Sequence, residues 1–246
     1  MSDSPESNSS AGGAIQRAVD VRTMFDRIVP RYDLVNRIMT GGRDVAWRSM
    51  VAKQVAAVES VQEKVLDVAT GTGDLALAIR KTGNRQVIGL DFSLEMIRAA
   101  KKKLDKSEKL VTFLVGDGMK LPFEEGTFDA CTISFGLRNM SNYEDGIREM
   151  TRVLRPGGRF ICLEMTPFQR PLLGPLFRFY FERIVPIVGG ILSGNLRAYR
   201  YLPRSVRAFP KAHDLAELMR SAGLDDVRYQ LLGFGTVAIH SGAKPG

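Results

Sequence analysis

Cysteine is nearly absent. The chain has two in 246 residues, Cys131 and Cys162, each inside an apolar run (ACTISF and RFICLE). Two thiols so placed form neither a disulfide framework nor a zinc pattern. They read as buried strand residues, which suits a reducing cytoplasm. Histidine is equally scarce: His213 precedes a helix and His240 lies in a terminal strand, so both read as structural and no metal site is expected. No run reaches the ~20 apolar residues that a spanning helix needs. The nearest, Ile184–Leu196, is broken by Pro186, Gly189, Gly190 and Gly194. The opening MSDSPESNSSAGGA has no apolar h-region, which excludes a signal peptide and predicts a disordered tail over residues 1–14. No internal repeat is visible.

What remains is the composition of an ordinary globular chain, 44% hydrophobic and 25% charged. Its length suits a single domain, here residues 15–246. The net charge of +8 favours an anionic partner: nucleic acid, an anionic membrane surface or a phosphate-bearing ligand. Residues 15–58 read as helices, with Val19, Met24, Phe25, Ile28 and Val29 at roughly helical spacing. Strands KVLDVA, QVIGLD, VTFLVGD, FDACTISF and RFICLEM then alternate with helices, one of them N-capped by Ser93. Such alternation implies right-handed crossovers and a mostly parallel sheet covered on both faces. Arg155-Pro156-Gly157-Gly158 reads as the turn into the fifth strand. Residues 167–207 break the rhythm and read as a helical lid rich in aromatics and arginines. DVRYQLLGFG and TVAIHSGAK are close enough for a terminal antiparallel hairpin.

The turn after the first strand, Asp67-Val68-Ala69-Thr70-Gly71-Thr72-Gly73-Asp74, is the first informative motif. Glycines there admit a ligand close to the backbone. Asp91, about 20 residues on, ends the next strand, where a carboxylate accepts hydrogen bonds from ribose hydroxyls. Taken alone, the motif serves NAD as well as S-adenosylmethionine. Later features favour the second: Val115-Gly116-Asp117-Gly118, with Asp117 placed for an adenine amine; Phe128-Asp129-Ala130; and Leu154-Arg155-Pro156-Gly157-Gly158. This series resembles the ordered motifs of class I S-adenosylmethionine-dependent methyltransferases. Their fold is α/β: a mostly parallel seven-stranded sheet, helices on both faces and a C-terminal antiparallel hairpin.

Four segments narrow the resemblance to the ubiquinone/menaquinone biosynthesis C-methyltransferases: Tyr32-Asp33-Leu34-Val35-Asn36 with Trp47; Thr132 through Asn139; Arg152 through Gly158 continuing to Glu164; and Tyr199-Arg200-Tyr201-Leu202 with Phe209-Pro210. The sequence departs from the family at Ala69, where many members have glycine, and at Asp44, where histidine is usual. The resemblance implies a donor site containing Thr72, Asp91, Asp117, Gly118 and Ser134, to which the turn adds Asp67, Gly71 and Gly73. It also implies a prenylated quinol as acceptor: demethylmenaquinol, with a polyprenyl methoxy-benzoquinol as the alternative.

A quinol ring carbon becomes nucleophilic when the neighbouring hydroxyl loses its proton, so the acceptor must be reduced. The site must then hold a phenolate. Arg138 and Asn139, just past the fourth strand, are candidates to hold it, and Tyr32 and Asp33 to close the ring pocket. Tyr199 and Tyr201 lie two apart on a helix, which predicts one toward ligand and one toward packing. Leu172, Leu173, Leu176, Phe177 and Phe179, punctuated by Arg170 and Arg178, suit reversible contact with an anionic bilayer at the inner face of the cell membrane. A homodimer is also admissible. No Asn-Pro-Pro-Tyr run, pyrimidine-attacking cysteine or RNA-binding module is present, so no nucleic-acid partner is expected. The rival from another class is a non-catalytic quinone- or lipid-binding protein.

Overall fold

The computed structural model describes residues 19–59, 63–168 and 179–246. The predicted tail at 1–14 and Arg170, Leu172, Leu173, Leu176, Phe177 and Arg178 lie outside them. Residues 19–26 are helical, followed by α1 (Tyr32–Met39) and α2 (Arg43–Ala56). Then come β1 (Lys64–Val68), α3 (Asp74–Arg80), β2 (Gln86–Asp91), α4 (Leu94–Lys102), β3 (Val111–Val115), β4 (Phe128–Ser134), α5 (Tyr143–Val153) and β5 (Leu154–Met165). A π-helical turn (Tyr180–Ile184) leads into α6 (Val185–Ser193), α7 (Leu196–Ala208) and α8 (Ala212–Ser221), and β6 (Asp225–Leu232) and β7 (Val237–Ala243) close the fold.

The seven strands run in the order β3-β2-β1-β4-β5-β7-β6. All neighbours are parallel except β7, which is antiparallel to both β5 and β6. This is the expected fold, terminal hairpin included. Strands β1 and β4 are buried almost throughout because both faces are covered. On one face Leu66, Cys131, Phe160 and Cys162 pack with Ile147 and Met150 of α5 and Leu215 and Met219 of α8. On the other, Val65, Phe113, Ala130 and Ile161 pack with Val51 of α2, Ile79 of α3 and Ile97 of α4. Both thiols are fully buried. Ser93 caps α4, its hydroxyl accepting from Met96 N at 3.0 Å.

The sequence places a turn before β5; the structure has a bulge within it. Phe128 pairs with Leu154 and Ala130 with Arg159, so Arg155–Gly158 loops out of the ladder. Pro156 lacks an N–H for pairing, and Gly157 takes a left-handed φ of 73°. Arg155 is then free to donate from Nε to the buried Asp129 carboxylate at 2.7 Å. This motif therefore braces the end of the sheet remote from the loops that follow β1, β2 and β4.

Those loops meet at the switch point between β1 and β4, where neighbouring crossovers diverge and ligands bind in open α/β sheets. They meet closely. Ala69 has φ 50°, and a Cβ on Gly136 would lie 2.4 Å from the Ala69 Cβ and 3.3 Å from Ile133 Cγ1. Gly136→Ala should therefore destabilise the fold by about 1–3 kcal/mol through overpacking. Ala69→Gly in the same chain removes both the clash and the left-handed alanine, so the double variant should recover much of that loss. Chemical denaturation checks this, and strict additivity of the two changes would refute the contact.

Candidate active site

Beyond the carboxyl ends of β1, β2 and β4 lie two cavities, of about 160 Å³ and about 430 Å³. The smaller is lined by Gly71, Asp91, Asp117, Gly118, Ser134 and Asn139, all singled out from sequence. The larger is lined by Trp47, Arg138, Tyr199, Tyr201 and Phe234, among others. Phe25, Tyr32 and Phe135 line both, so one aromatic wall separates them.

The smaller cavity is built by backbone. Gly73 begins α3 with φ 82°, and a Cβ there would meet Phe113 Cζ at 2.6 Å. Asp91 accepts from Gly71 N and from Ser93 N, both at 2.8 Å, which fixes the carboxylate at the end of β2. Burial pushes its carboxyl up, against the pull of those two bonds. Asp117 accepts from Met119 N at 2.9 Å. Ser134 Oγ and Asn139 Oδ1 are buried and have no partner among the described residues. Two unpaired polar atoms in one cavity are costly unless a ligand satisfies them. Val21, Arg22 and Phe25 close the cavity from the N-terminal helix, tied down where Ser93 Oγ donates to Asp26.

Three of the sequence-selected donor residues lie outside the cavity lining. Asp67 sits beneath the turn, 1% exposed, accepting from Thr70 Oγ1 at 2.6 Å and Thr132 Oγ1 at 2.8 Å. Gly73 supplies the bend. Thr72 donates to Asp33 Oδ1 at 2.6 Å and accepts from Lys103 Nζ at 3.0 Å. Lys103 also pairs with Asp33 and Asp74, both at 2.6 Å. Asp33 thus fastens α1 to the Gly-rich turn, while Tyr32 beside it reaches both cavities.

In the larger cavity Arg138 is buried and pairs with Glu164, itself 1% exposed. Its Nε has no partner among the described residues, so that N–H remains for a ligand. Burial pushes the Tyr32 phenol up, opposed by the charges of Arg48 and Arg138, so Tyr32 is a hydrogen-bond donor at neutral pH. Asp44 lines this cavity, accepting from Thr40 Oγ1 at 3.0 Å and pairing with Arg48 at 2.6 Å. Arg48 also lies over the Phe135 ring, 5.8 Å from its centroid. Tyr199 and Tyr201 both face this cavity, not one alone. His213 is exposed, and His240 is buried away from both cavities, bonded through Nε2 to Ala212 O at 2.8 Å.

The sequence places Phe25 at helical spacing without assigning it to a site, and does not single out Phe135, Glu164 or Phe234 as site residues. Only Glu164 carries a signal, an acid directly after the apolar run Phe160–Leu163. Among the described residues there is no metal-binding cluster and no helix long and apolar enough to cross a membrane.

The sequence profile of the ubiE/COQ5 methyltransferase family matches residues 14–244. The chain belongs to that family. A demethylmenaquinone methyltransferase of Thermus thermophilus is 46% identical over 223 residues, which cover 90% of this chain and 100% of that protein. A ubiquinone/menaquinone biosynthesis C-methyltransferase of Syntrophotalea carbinolica is 41% identical, covering 92% of this chain and 94% of that one. The crystal structure of a SAM-dependent methyltransferase from Thermotoga maritima superposes with a TM-score of 0.61 at 19% identity, over 91% of this chain and 99% of that one. That likeness shows the class I fold. As a member of the ubiE/COQ5 family, the chain is a methyltransferase that uses S-adenosylmethionine. The smaller cavity fits this donor: a glycine cradle, carboxylates at the ends of β2 and β3, and the two unpaired atoms of Ser134 and Asn139.

Burial raises the Asp67 carboxyl from 3.8 to about 6, partly offset by its two threonine bonds. A raised acid pKa means the folded chain holds a proton that the unfolded chain releases between about pH 4 and 6. The stability this contributes is full below pH 3.8 and is lost as pH rises through 6, a difference of about 3 kcal/mol. Asp67→Asn lacks that titration, so its stability relative to the parent should improve steadily from pH 4 to pH 7. Urea unfolding at each pH checks this, and a flat difference would refute it.

Proposed function

We propose that this methyltransferase transfers a methyl group to a ring carbon of demethylmenaquinol, completing menaquinol. The observation that carries the reading is the shared wall: a donor cavity and a larger, mainly apolar acceptor cavity separated only by Phe25, Tyr32 and Phe135. Two ligands seated on either side of such a wall meet at one point, which provides the orientation that a displacement reaction requires. Names of the family relatives point to the same acceptor.

When bound, S-adenosylmethionine supplies an electrophilic methyl group on a sulfonium. Asp91 would hold its ribose hydroxyls and Asp117 its adenine amine, and Ser134 and Asn139 would offer the unpaired polar atoms described above. Asp67, Gly73 and Thr72 act one step back, shaping the turn. In the acceptor cavity Asp44, the one carboxylate in its described lining, takes the quinol hydroxyl proton. Arg138 Nε and the Tyr32 hydroxyl stabilise the resulting phenolate, and Asp33 keeps Tyr32 in place through Thr72 and Lys103. With S-adenosylmethionine bound, the ring carbon would take its methyl group and leave a neutral thioether; the ring C–H proton would pass to water as aromaticity returns, and Asp44 would give its proton back to the phenolate oxygen. An oxidised ring is itself electrophilic and cannot follow this course.

The cover of the acceptor cavity also suits a substrate that resides in lipid. Leu34 and Ile38 of α1 and Ile187 and Ile191 of α6 are 49–75% exposed, on two helices that pack together beside the exposed Arg37 and Arg183. An apolar face with basic flanks suits reversible contact with the inner, anionic face of the cell membrane.

Transfer of labelled methyl from S-adenosylmethionine to demethylmenaquinol is expected only when the quinone is reduced. Label on the oxidised ring would refute the phenolate course; no label in either state, with the donor bound, would refute the acceptor and turn attention to the benzoquinol. Ile187→Ser with Ile191→Ser should abolish flotation with anionic vesicles and leave donor binding intact. Unchanged flotation would sink the membrane reading, and a dimer that dissociates on the same substitutions would assign that face to a second copy.

A further inference from the structure

The link between β6 and β7 is Gly233-Phe234-Gly235, and all three residues adopt left-handed backbone, with φ of 55°, 60° and 92°. Glycine accepts that conformation without penalty; a phenylalanine does so rarely. The side chain gains little from burial, since Phe234 is 71% exposed. Its one described partner is Arg43, whose guanidinium lies 5.6 Å from the ring centroid. An exposed cation–π contact is a weak return for a bulky residue held in left-handed backbone. A hairpin alone would be better served by glycine or asparagine at this position.

The position of the link supplies the missing reason. Gly233 sits against Trp47, where an added Cβ would approach Cζ2 to 3.2 Å. Trp47 in turn packs on Phe135, centroids 6.4 Å apart. Phe135 is part of the wall between the cavities, so only Trp47 stands between the link and that wall. Phe234 and Arg43 both line that cavity. An apolar ring at the rim of an apolar cavity, exposed when nothing is bound, gains burial when a ligand enters.

We propose that Phe234 is a specificity-determining residue that covers the aromatic acceptor, burying its own ring against the quinol and excluding water from the reacting end. This rests on the reading of the larger cavity as the acceptor site. Arg43 holds the ring beside the cavity mouth before the acceptor arrives, and the left-handed backbone is tolerated because the bound state recovers the contact.

Phe234→Gly tests this cleanly, because glycine suits the backbone and the variant has every reason to fold. It should melt at or above the temperature of the parent chain. With reduced demethylmenaquinol, the acceptor KM should rise at least tenfold while the KM for S-adenosylmethionine stays within twofold. Phe234→Tyr, which keeps the ring, should restore the acceptor KM. An acceptor KM within twofold of the parent for Phe234→Gly would overturn the proposal and leave Phe234 a surface residue of the hairpin. A parallel rise in both KM values would overturn it too, marking general disorder of the site. A parent chain that binds the donor yet methylates no quinol would overturn the acceptor reading itself.

Discussion

The buried carboxylate of Asp67 is the fixed point on which the donor site rests. It ends β1 beneath the Gly-rich turn and collects hydroxyl hydrogen bonds from Thr70 and Thr132, on the turn and on β4. By joining β1, the turn and β4 it sets where Gly71 lies, and Gly71 N in turn anchors Asp91. Each contact is short and the two to Asp67 are buried, so displacing one displaces the next. The chain accepts the cost of a carboxylate in an apolar setting because no hydrophobic side chain could bind both threonines at once.

A second set of charges attaches the cover to this base. Asp33 of α1, Thr72 of the turn and Lys103 beyond α4 meet at one point, and Asp74, Arg48 and Asp44 extend the connection into α2. Asp33, Asp74 and Lys103 are partly exposed, so the connection is weaker than the sheet below it and sensitive to salt. That contrast suits its place: a rigid sheet carries Asp91, Asp117 and Ser134 at its strand ends, and a more readily opened layer of helices lines the larger cavity.

Most of the sheet was legible because strands buried on both faces leave uninterrupted apolar runs, and glycines mark the turns between them. The donor residues were legible for a related reason: Asp91, Asp117 and Ser134 sit at strand ends, where position along the chain translates directly into position at the sheet edge. The acceptor cavity was less so. Phe25 has the helical spacing of a core residue, and nothing in its neighbours distinguishes packing against protein from lining a cavity. Phe135 and Phe234 owe their roles to left-handed backbone, which a sequence announces for glycine and conceals for phenylalanine. The Arg155 bulge was mistaken for a simple turn because Pro-Gly-Gly fits either, and only the register with β4 separates them. The docking of the N-terminal helices onto α7, through Ile28 and Val35 against Ala198 and Tyr199, is a contact between distant segments that no local pattern encodes.

That docking makes the two cavities one thermodynamic unit. The N-terminal helix supplies Val21, Arg22 and Phe25 to the donor cavity, and the segment that follows it supplies Ile28 and Tyr32 to the acceptor cavity. A ligand that orders this segment from one side prepays part of the ordering needed on the other. By reciprocity, whatever factor the donor adds to acceptor affinity the acceptor must return to the donor. The same logic would govern departure in the proposed reaction: a segment that closes on both ligands must loosen for either product to leave.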